Sequence, residues 1–396
     1  RKYLPKAHTI KFEKTEIPRL LGVKVPTKHV HSILKRLGMG VSNFKDGWKV
    51  KIPSWRFDLT GQHDLVEEIG RCYGYDRVVP RMPVSAARTG GYPETRISLS
   101  QIKKSMTCRG YYEAINYSFI DAAVQVNLME CKKGVTLENP LADNMTEMRQ
   151  SLFPGLLSTL ARNLNHQQSR VQLFECGNVF HRRGKSRIEI PRIAALTSGL
   201  ALPRQWGAEA REVDFFDLKG DLENLLEIVG ADSGFKFHSA AHPAFHPGQS
   251  AAIRRGRKTA GYLGQLHPVK QKSLGIDQKV FLFELDLDAL SVAGLPSFEP
   301  ISRFPQIQRD LAVVVDKEVP AAEILSVVNR SAGEHLKKLE LFDIYTGEGI
   351  ENNKKSFAFS LTFQSESSSL KAGEIEAVID NIINALRKTA GAELRS

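Results

Sequence analysis

Apolar residues recur at helical spacing in several stretches of the chain. Val30, Ile33, Leu34 and Leu37 form one stripe, with Pro26 and Thr27 suited to start the helix and Gly38 to end it. Leu65, Ile69, Cys72 and Tyr73 form a second, starting near Asp64. Further helices are expected over about 98–109, from Leu156 through Leu164, over 217–229, over 321–332 and over 373–388. Strand-like runs lie between them: Val41–Phe44, Trp48–Ile52, Ala114–Ile120, Val171–Cys176, Val179–His181, Arg192–Ser198, Ala251–Arg254, Ala260–Gly264 and Val280–Asp286. Asp310–Asp316, Leu339–Tyr345 and Ser356–Phe363 complete the set.

The order of these elements predicts an α+β, multidomain chain. Residues 1–80 read as helix, hairpin and helix, the hairpin turned at Asp46-Gly47, a small basic module similar to winged-helix nucleic-acid binders. Residues 81–99 are rich in Pro, Gly, Ser and Arg and read as a linker. Residues 100–298 mix strands and helices in the manner of an antiparallel α+β domain. Residues 301–396 read β-α-β-β-α, the ferredoxin-like pattern if a short last strand follows Gly391. Alternation puts Phe357, Phe359, Leu361 and Phe363 on one face, expected to be core against the helices. Any RNA contact there is then left to loops, edges and polar groups.

Composition narrows the picture. The 396 residues are 42% hydrophobic and 25% charged, as in water-soluble globular proteins. No apolar run approaches a membrane span, no signal peptide is visible, and a cytoplasmic protein without membrane contact is expected. Cys72, Cys108, Cys131 and Cys176 are scattered without a C-x-x-C pair, which fits reduced thiols. A start at Arg1 rather than Met makes a fragment or processed product the expectation. Net charge is +11, and its distribution is uneven. Residues 1–80 carry 16 Lys/Arg against 8 Asp/Glu, or +8, whereas residues 301–396 carry 12 against 14, or −2. An anionic partner for the N-terminal end is one reading and a plain solvated face is the other.

The stretch from Ser54 to Tyr75 concentrates candidate chemistry. Asp64 and Glu68 lie four apart on the expected helix, Glu67 sits beside them, and a short loop through Gly61 can bring Asp58 back to its start. Such a gathering of hard oxygen ligands suits Mg²⁺. The same residues also make a capping box, Asp64 as cap and Glu67 reaching back, with Glu67 able to pair with Arg71. Spacing alone leaves both open. His238, His242 and His246 are four apart, but Pro243 and Pro247 forbid a regular helix through them. A phosphate-binding loop, a dinucleotide-binding glycine fingerprint and a Ser or Cys nucleophile motif are all absent.

Over nearly its whole length the chain resembles the C-terminal half of bacterial phenylalanyl-tRNA synthetase β subunits. The strongest match is PSWRFD (Pro53–Asp58), followed by Asp64, Glu67, Glu68, Arg71, Gly74 and Tyr75. The resemblance implies that Asp58, Asp64, Glu67 and Glu68 bind a Mg²⁺ at the contact with an α subunit. The middle, through Gly110–Tyr117, Leu152–Leu157 and Leu173–Phe180, resembles that family's class II synthetase-like domain. Leu173 and Phe174 precede Glu175 where an active site wants an arginine, and a glycine-rich tract ending in arginine is missing. The domain is therefore expected to be catalytically inactive, with no catalytic residue in this chain. The end, from Phe304-Pro305 and Arg309-Asp310-Leu311 to Leu341–Tyr345, looks like the family's ferredoxin-like anticodon-binding domain, with Ser369–Ala372 departing from its usual cap. The implied partners are a catalytic α subunit in an α2β2 heterotetramer, the phenylalanine tRNA, and ATP and phenylalanine held by α. A stand-alone RNA- or DNA-binding protein is the rival expectation.

Overall fold

The computed structural model describes residues 5–80, 82, 84, 93–130, 134–184, 186–230, 234–295, 298 and 300–395. The chain divides into two compact units, residues 1–91 and 92–396. Of the expected linker, residues 81, 83 and 85–92 lie outside the described residues.

The first unit runs β1 (His8–Glu13), α1 (Glu16–Leu21), α2 (Thr27–Arg36), β2 (Gly40–Phe44), β3 (Gly47–Ile52) and α3 (Gln62–Tyr73). Its sheet is antiparallel in the order β1-β3-β2. Alternation drives Ile10, Phe12, Trp48, Val50 and Ile52 to one face, where Ile17 of α1, Val30 and Leu34 of α2, and Leu65, Val66 and Ile69 of α3 bury them. β1 goes beyond the expected hairpin. The hairpin itself turns at Lys45-Asp46, and Gly47 opens β3 where a Cβ would collide with the Phe12 carbonyl of β1. α3 begins two residues before Asp64, which decides the chemistry of its first turn.

The second unit opens on α4 (Leu99–Cys108), whose cap Ser98 exchanges hydrogen bonds with Gln101. Then come β4 (Tyr112–Glu113), β5 (Phe119–Ile120), α5 (Ala122–Met129), β6 (Glu147–Met148), α6 (Phe153–Asn165), β7 (Val171–Arg183), β8 (Ser186–Ser198) and α7 (Phe215–Glu227). β9 (Phe235–Ser239), β10 (Phe245–Arg255), β11 (Lys258–Leu266), α8 (Pro268–Ser273) and β12 (Val280–Asp286) complete this part. The sheet order is β4-β7-β8-β12-β11-β10-β9, antiparallel apart from the β4–β7 pair. One face packs under α4 and α7, the other under α6. The expected strand Ala114–Ile120 does not form as one piece: only its last two residues pair, in β5. Its middle bends because Asn116 is drawn to Glu175, 59 residues away. Thr95–Ile97 bond to the backbone at Ser291–Ala293, so this end of the expected linker is tied to the sheet domain.

The C-terminal part runs β13 (Ile307–Asp316), α9 (Ala321–Ser331), β14 (Leu336–Tyr345), β15 (Lys354–Phe363), α10 (Ala372–Ala390) and β16 (Glu393–Leu394). The four strands pair antiparallel in the order β14-β15-β13-β16, a ferredoxin-like sheet completed by the short strand after Gly391. Phe357, Phe359, Leu361 and Phe363 are buried with Ile324, Val328, Ile375, Ile382 and Leu386 of α9 and α10. No helix among the described residues is long and apolar enough to cross a membrane.

Candidate functional site

Pro53 closes β3, and two turns follow, with Arg56 N–H donating to the Pro53 carbonyl and Leu59 N–H to that of Arg56. Buried Leu59 anchors this loop, so Asp58 is carried back toward α3. The Arg56 guanidinium occupies the space between the acids. Its Nε and Nη2 donate to Asp58 at 2.7–3.1 Å, and its Nη1 donates to Glu68 Oε2 at 3.3 Å. Arg71 Nη2 donates to the same Glu68 oxygen at 2.8 Å. Asp64 Oδ2 accepts from the backbone N–H groups of Thr60 and Gly61, each at 2.7 Å. Glu67 is exposed and makes no hydrogen bond or ion pair among the described residues.

These bonds revise two details of the expected capping. Because α3 starts at Gln62, Asp64 is the third helical residue and reaches back itself, instead of serving as cap for Glu67. Arg71 pairs with Glu68, three residues back, and not with Glu67. The pairing also sets protonation. The Arg56 hydrogen bond holds the Asp58 carboxyl below its ordinary value, and the Gly61 amide does the same for Asp64. Burial pushes Glu68 up, but hydrogen bonds from Arg56 and Arg71 outweigh it and leave its carboxyl below the ordinary value as well.

The donor set is chemically right for a hard cation, but the arrangement is not a metal cradle. Among the described residues no three His, Cys, Asp or Glu side chains converge on one point. Asp58 and Glu68 spend their oxygens on Arg56, and Asp64 spends one on the helix N-terminus. The three histidines do not converge either. The Nδ1 atoms of His242 and His246 each accept from a backbone N–H two residues on, and His238 lies on β9.

Beside the seven-stranded sheet, two arginines are neutralised by acids from within. Arg149, 4% exposed, donates from Nη1 to Glu175 Oε1 at 2.5 Å, and Glu175 is 3% exposed. Arg192 bonds Glu284 at 2.5 Å and Asp286 at 3.0 Å. Glu284 Oε1 also accepts from Ser151 Oγ and the Leu152 N–H. A cavity of about 240 Å³ opens beside this pair, lined by Gln150, His181, Arg192, His242, Tyr262 and Glu284, among others. Burial drives His242 down to about 4, and burial likewise lowers His181, so both rings are neutral at pH 7. The one arginine of this lining already serves two carboxylates, which leaves the cavity poorly suited to hold a substrate phosphate. Arg149 and Arg192 were visible in the sequence, but nothing local told that each has an acid waiting across the sheet.

The ferredoxin-like domain hides one aromatic from pattern reading. In β14, Leu339 and Leu341 oppose Leu361 and Phe359 on the helix side. A bulge between Leu341 and Asp343 then reverses the alternation, so Tyr345 opposes Ser356 and joins the open face. The Arg395 guanidinium lies over the Tyr345 ring at 4.9 Å. Ser356 Oγ on the same face is buried without a hydrogen-bond partner.

Three family models match the chain in succession. They are the tRNA synthetase B5 domain over residues 10–75, the phenylalanyl tRNA synthetase beta chain CLM domain over 79–287, and the ferredoxin-fold anticodon binding domain over 302–395. The phenylalanine–tRNA ligase beta subunit of Hahella chejuensis is 40% identical over 397 residues, covering 100% of this chain and 50% of that protein. The same-named subunit of Methylococcus capsulatus is 42% identical over 392 residues, covering 99% and 49%. That of Coxiella burnetii is 39% identical over 396 residues, covering 100% and 50%. The chain thus spans about half the length of the curated relatives it matches. A pyrrolysyl tRNA synthetase from Desulfitobacterium hafniense aligns at a TM-score of 0.36 and 14% identity, covering 58% of this chain and 75% of its own, a likeness too slight to use.

Proposed function

Since the chain belongs to the phenylalanyl-tRNA synthetase β-chain family, we propose that it is the non-catalytic β part of a cytoplasmic phenylalanine–tRNA ligase. A partner α subunit, in an α2β2 assembly, binds ATP and phenylalanine and performs the joining. This chain supports α through its synthetase-like domain and helps hold the tRNA. One observation carries the division of labour: Arg149 and Arg192 in the synthetase-like sheet are consumed by Glu175, Glu284 and Asp286. A ligase needs arginines free for the phosphates of ATP and the adenylate. The stand-alone nucleic-acid binder is not favoured, because it gives no reason for an inactivated synthetase sheet between the two end domains.

In this reading Asp58, Asp64, Glu67 and Glu68 hold Mg²⁺ only when α is docked. Arg56 neutralises Asp58 and Glu68 in the chain by itself, and it has to leave before they are free to act as ligands. Glu67, already unpaired, is the donor ready to meet the ion first.

The test is a pull-down from bacterial extract with the tagged chain as bait, followed by activity assays. Recovery of the synthetase α subunit with tRNA enriched for the phenylalanine acceptor is the expected result. The chain alone should show no ATP–pyrophosphate exchange, and the reconstituted complex should charge tRNA. Exchange by the isolated chain, or recovery of nucleic acid without α, would overturn the proposal.

A further inference from the structure

The outer face of the three-stranded sheet in the first unit carries a charge arrangement that the fold itself does not need. All of α1, α2 and α3 pack on the inner face. On the outer face, Lys11 of β1 stands directly opposite Lys49 of the central strand β3. Lys51, two residues along β3, stands opposite Thr9 and Gly40. All three lysines are exposed, and none makes an ion pair among the described residues. Like charges directly opposite on a sheet are destabilising. Lysines are often placed on edge strands to prevent edge-to-edge pairing, but two of these three are on the central strand.

The acids of the unit are kept elsewhere. Asp58, Asp64, Glu67 and Glu68 sit on the loop and helix of the inner side. Among the described residues, Glu13 at the hairpin end is the carboxylate in register with the lysine face. The aromatic end of this face is Phe44, with Lys11 Nζ 5.0 Å from its ring centre. Lys49 and Lys51 are about 7 Å apart along the strand, and Lys11 is about 5 Å from Lys49 across it. One nucleic-acid strand presents a charge about every 3.4 Å of helix axis, so three such lysines match a short run of phosphates.

We propose that this face grips the phosphate backbone of the tRNA through Lys11, Lys49 and Lys51. The proposal rests on the tRNA-ligase reading above. The contact is electrostatic and sequence-independent, so it adds hold and not identity. The repulsion between Lys11 and Lys49 is tolerated in the free protein and relieved when phosphates lie between them.

The test compares the complex of this chain with α against the same complex carrying Lys11→Gln, Lys49→Gln and Lys51→Gln. Binding of the phenylalanine tRNA is measured over a series of salt concentrations. Three lost phosphate contacts should flatten the slope of log K against log salt by about 2–3. The melting temperature should stay level or rise, because the like-charge pair is gone. A control with Lys35→Gln, Arg36→Gln and Lys45→Gln removes equal charge elsewhere in the unit. A slope unchanged by the first set, or changed equally by both, overturns the lysine face while leaving the ligase reading intact. A complex of unaltered chain and α that neither binds nor charges tRNA overturns both. Normal tRNA binding with lost duplex-DNA binding would assign the face to DNA and refute the proposal.

Discussion

Glu175→Ala should destabilise the second unit far more than the loss of one hydrogen bond implies. The side chains of Arg149 and Glu175 are 4% and 3% exposed and meet at 2.5 Å. Arg149 Nε also donates to the Asn178 carbonyl at 3.0 Å, and Asn116 Nδ2 donates to Glu175 Oε2 at 2.7 Å. Gly177 leaves the room for this guanidinium, since a Cβ there would collide with Arg149 Nη2. Removing the carboxylate strands a buried positive charge and an amide donor together. Breaking one side of such a pair costs about 3–5 kcal/mol. For a unit of this size, each kcal/mol lowers the melting temperature by about 2–4 °C, so a fall of roughly 6–20 °C is expected. Replacing both partners, Arg149→Met with Glu175→Leu, leaves the Asn116 amide and the Asn178 carbonyl short of partners but no buried charge unpaired. Urea titrations of Arg149→Met, Glu175→Leu and the double variant give a double-mutant cycle, and the double should be more stable than Glu175→Leu alone. If Glu175→Ala lies within about 1 kcal/mol of the unaltered chain, or the two changes simply add, the pair is not the staple described here.

Three further predictions follow from other parts of the chain. His242 titrates at about 4 in the folded chain against 6.5 ordinarily, because burial disfavours its charged form. The unfolded chain therefore binds a proton that the native ring refuses, and stability should decline as pH falls from 6.5 toward 4, by up to about 3 kcal/mol. His242→Asn, which keeps an acceptor for the Ala244 N–H, should flatten unfolding curves measured across that window. Glu68→Ala should weaken Mg²⁺-dependent association with α, read by ultracentrifugation with and without chelator, more than it lowers the melting temperature; the reverse pattern would make Glu68 a structural anchor for Arg56 and Arg71 only. Tyr345→Ala should weaken tRNA binding while leaving the melting temperature nearly unchanged, since the ring lies on the open face of its sheet and not in the core; unaltered affinity would remove that face from the RNA contact.

The misses of pattern reading have a common cause in long-range pairing. The stripes of α2, α3, α7, α9 and α10 were legible because a helix buries a face whose spacing is local. The ferredoxin-like order was legible for the same reason, down to the short strand after Gly391. β1 was not, because only Ile10 and Phe12 alternate within a basic run, and the strand exists to pair with β3, some forty residues on. The bend at Asn116 and the pairs of Arg149 and Arg192 depend on acids across the sheet. The face that Tyr345 takes could not be read from alternation, since a bulge shifts the register just before it. At the acidic site the four carboxylates were visible, but Arg56 was not weighed as the counter-ion of Asp58 and Glu68. Its place there depends on how the Pro53–Leu59 loop turns.

That counter-ion separates two kinds of charge in this molecule. Arg149 and Glu175 are buried together, so neither can be withdrawn without a large cost, and evolution of a new ligand there would first have to dismantle the domain. Arg56 and Asp58 lie at the surface, where solvent screens such a pair and leaves it contributing little to stability. A divalent ion with a partner surface can displace an interaction that weak. The difference in burial, more than the identity of the residues, makes the synthetase-like sheet a fixed scaffold and the acidic loop an adjustable one. On the proposed reading, that is how Asp58 and Glu68 would stay paired with Arg56 until a docked partner and an ion drew them together.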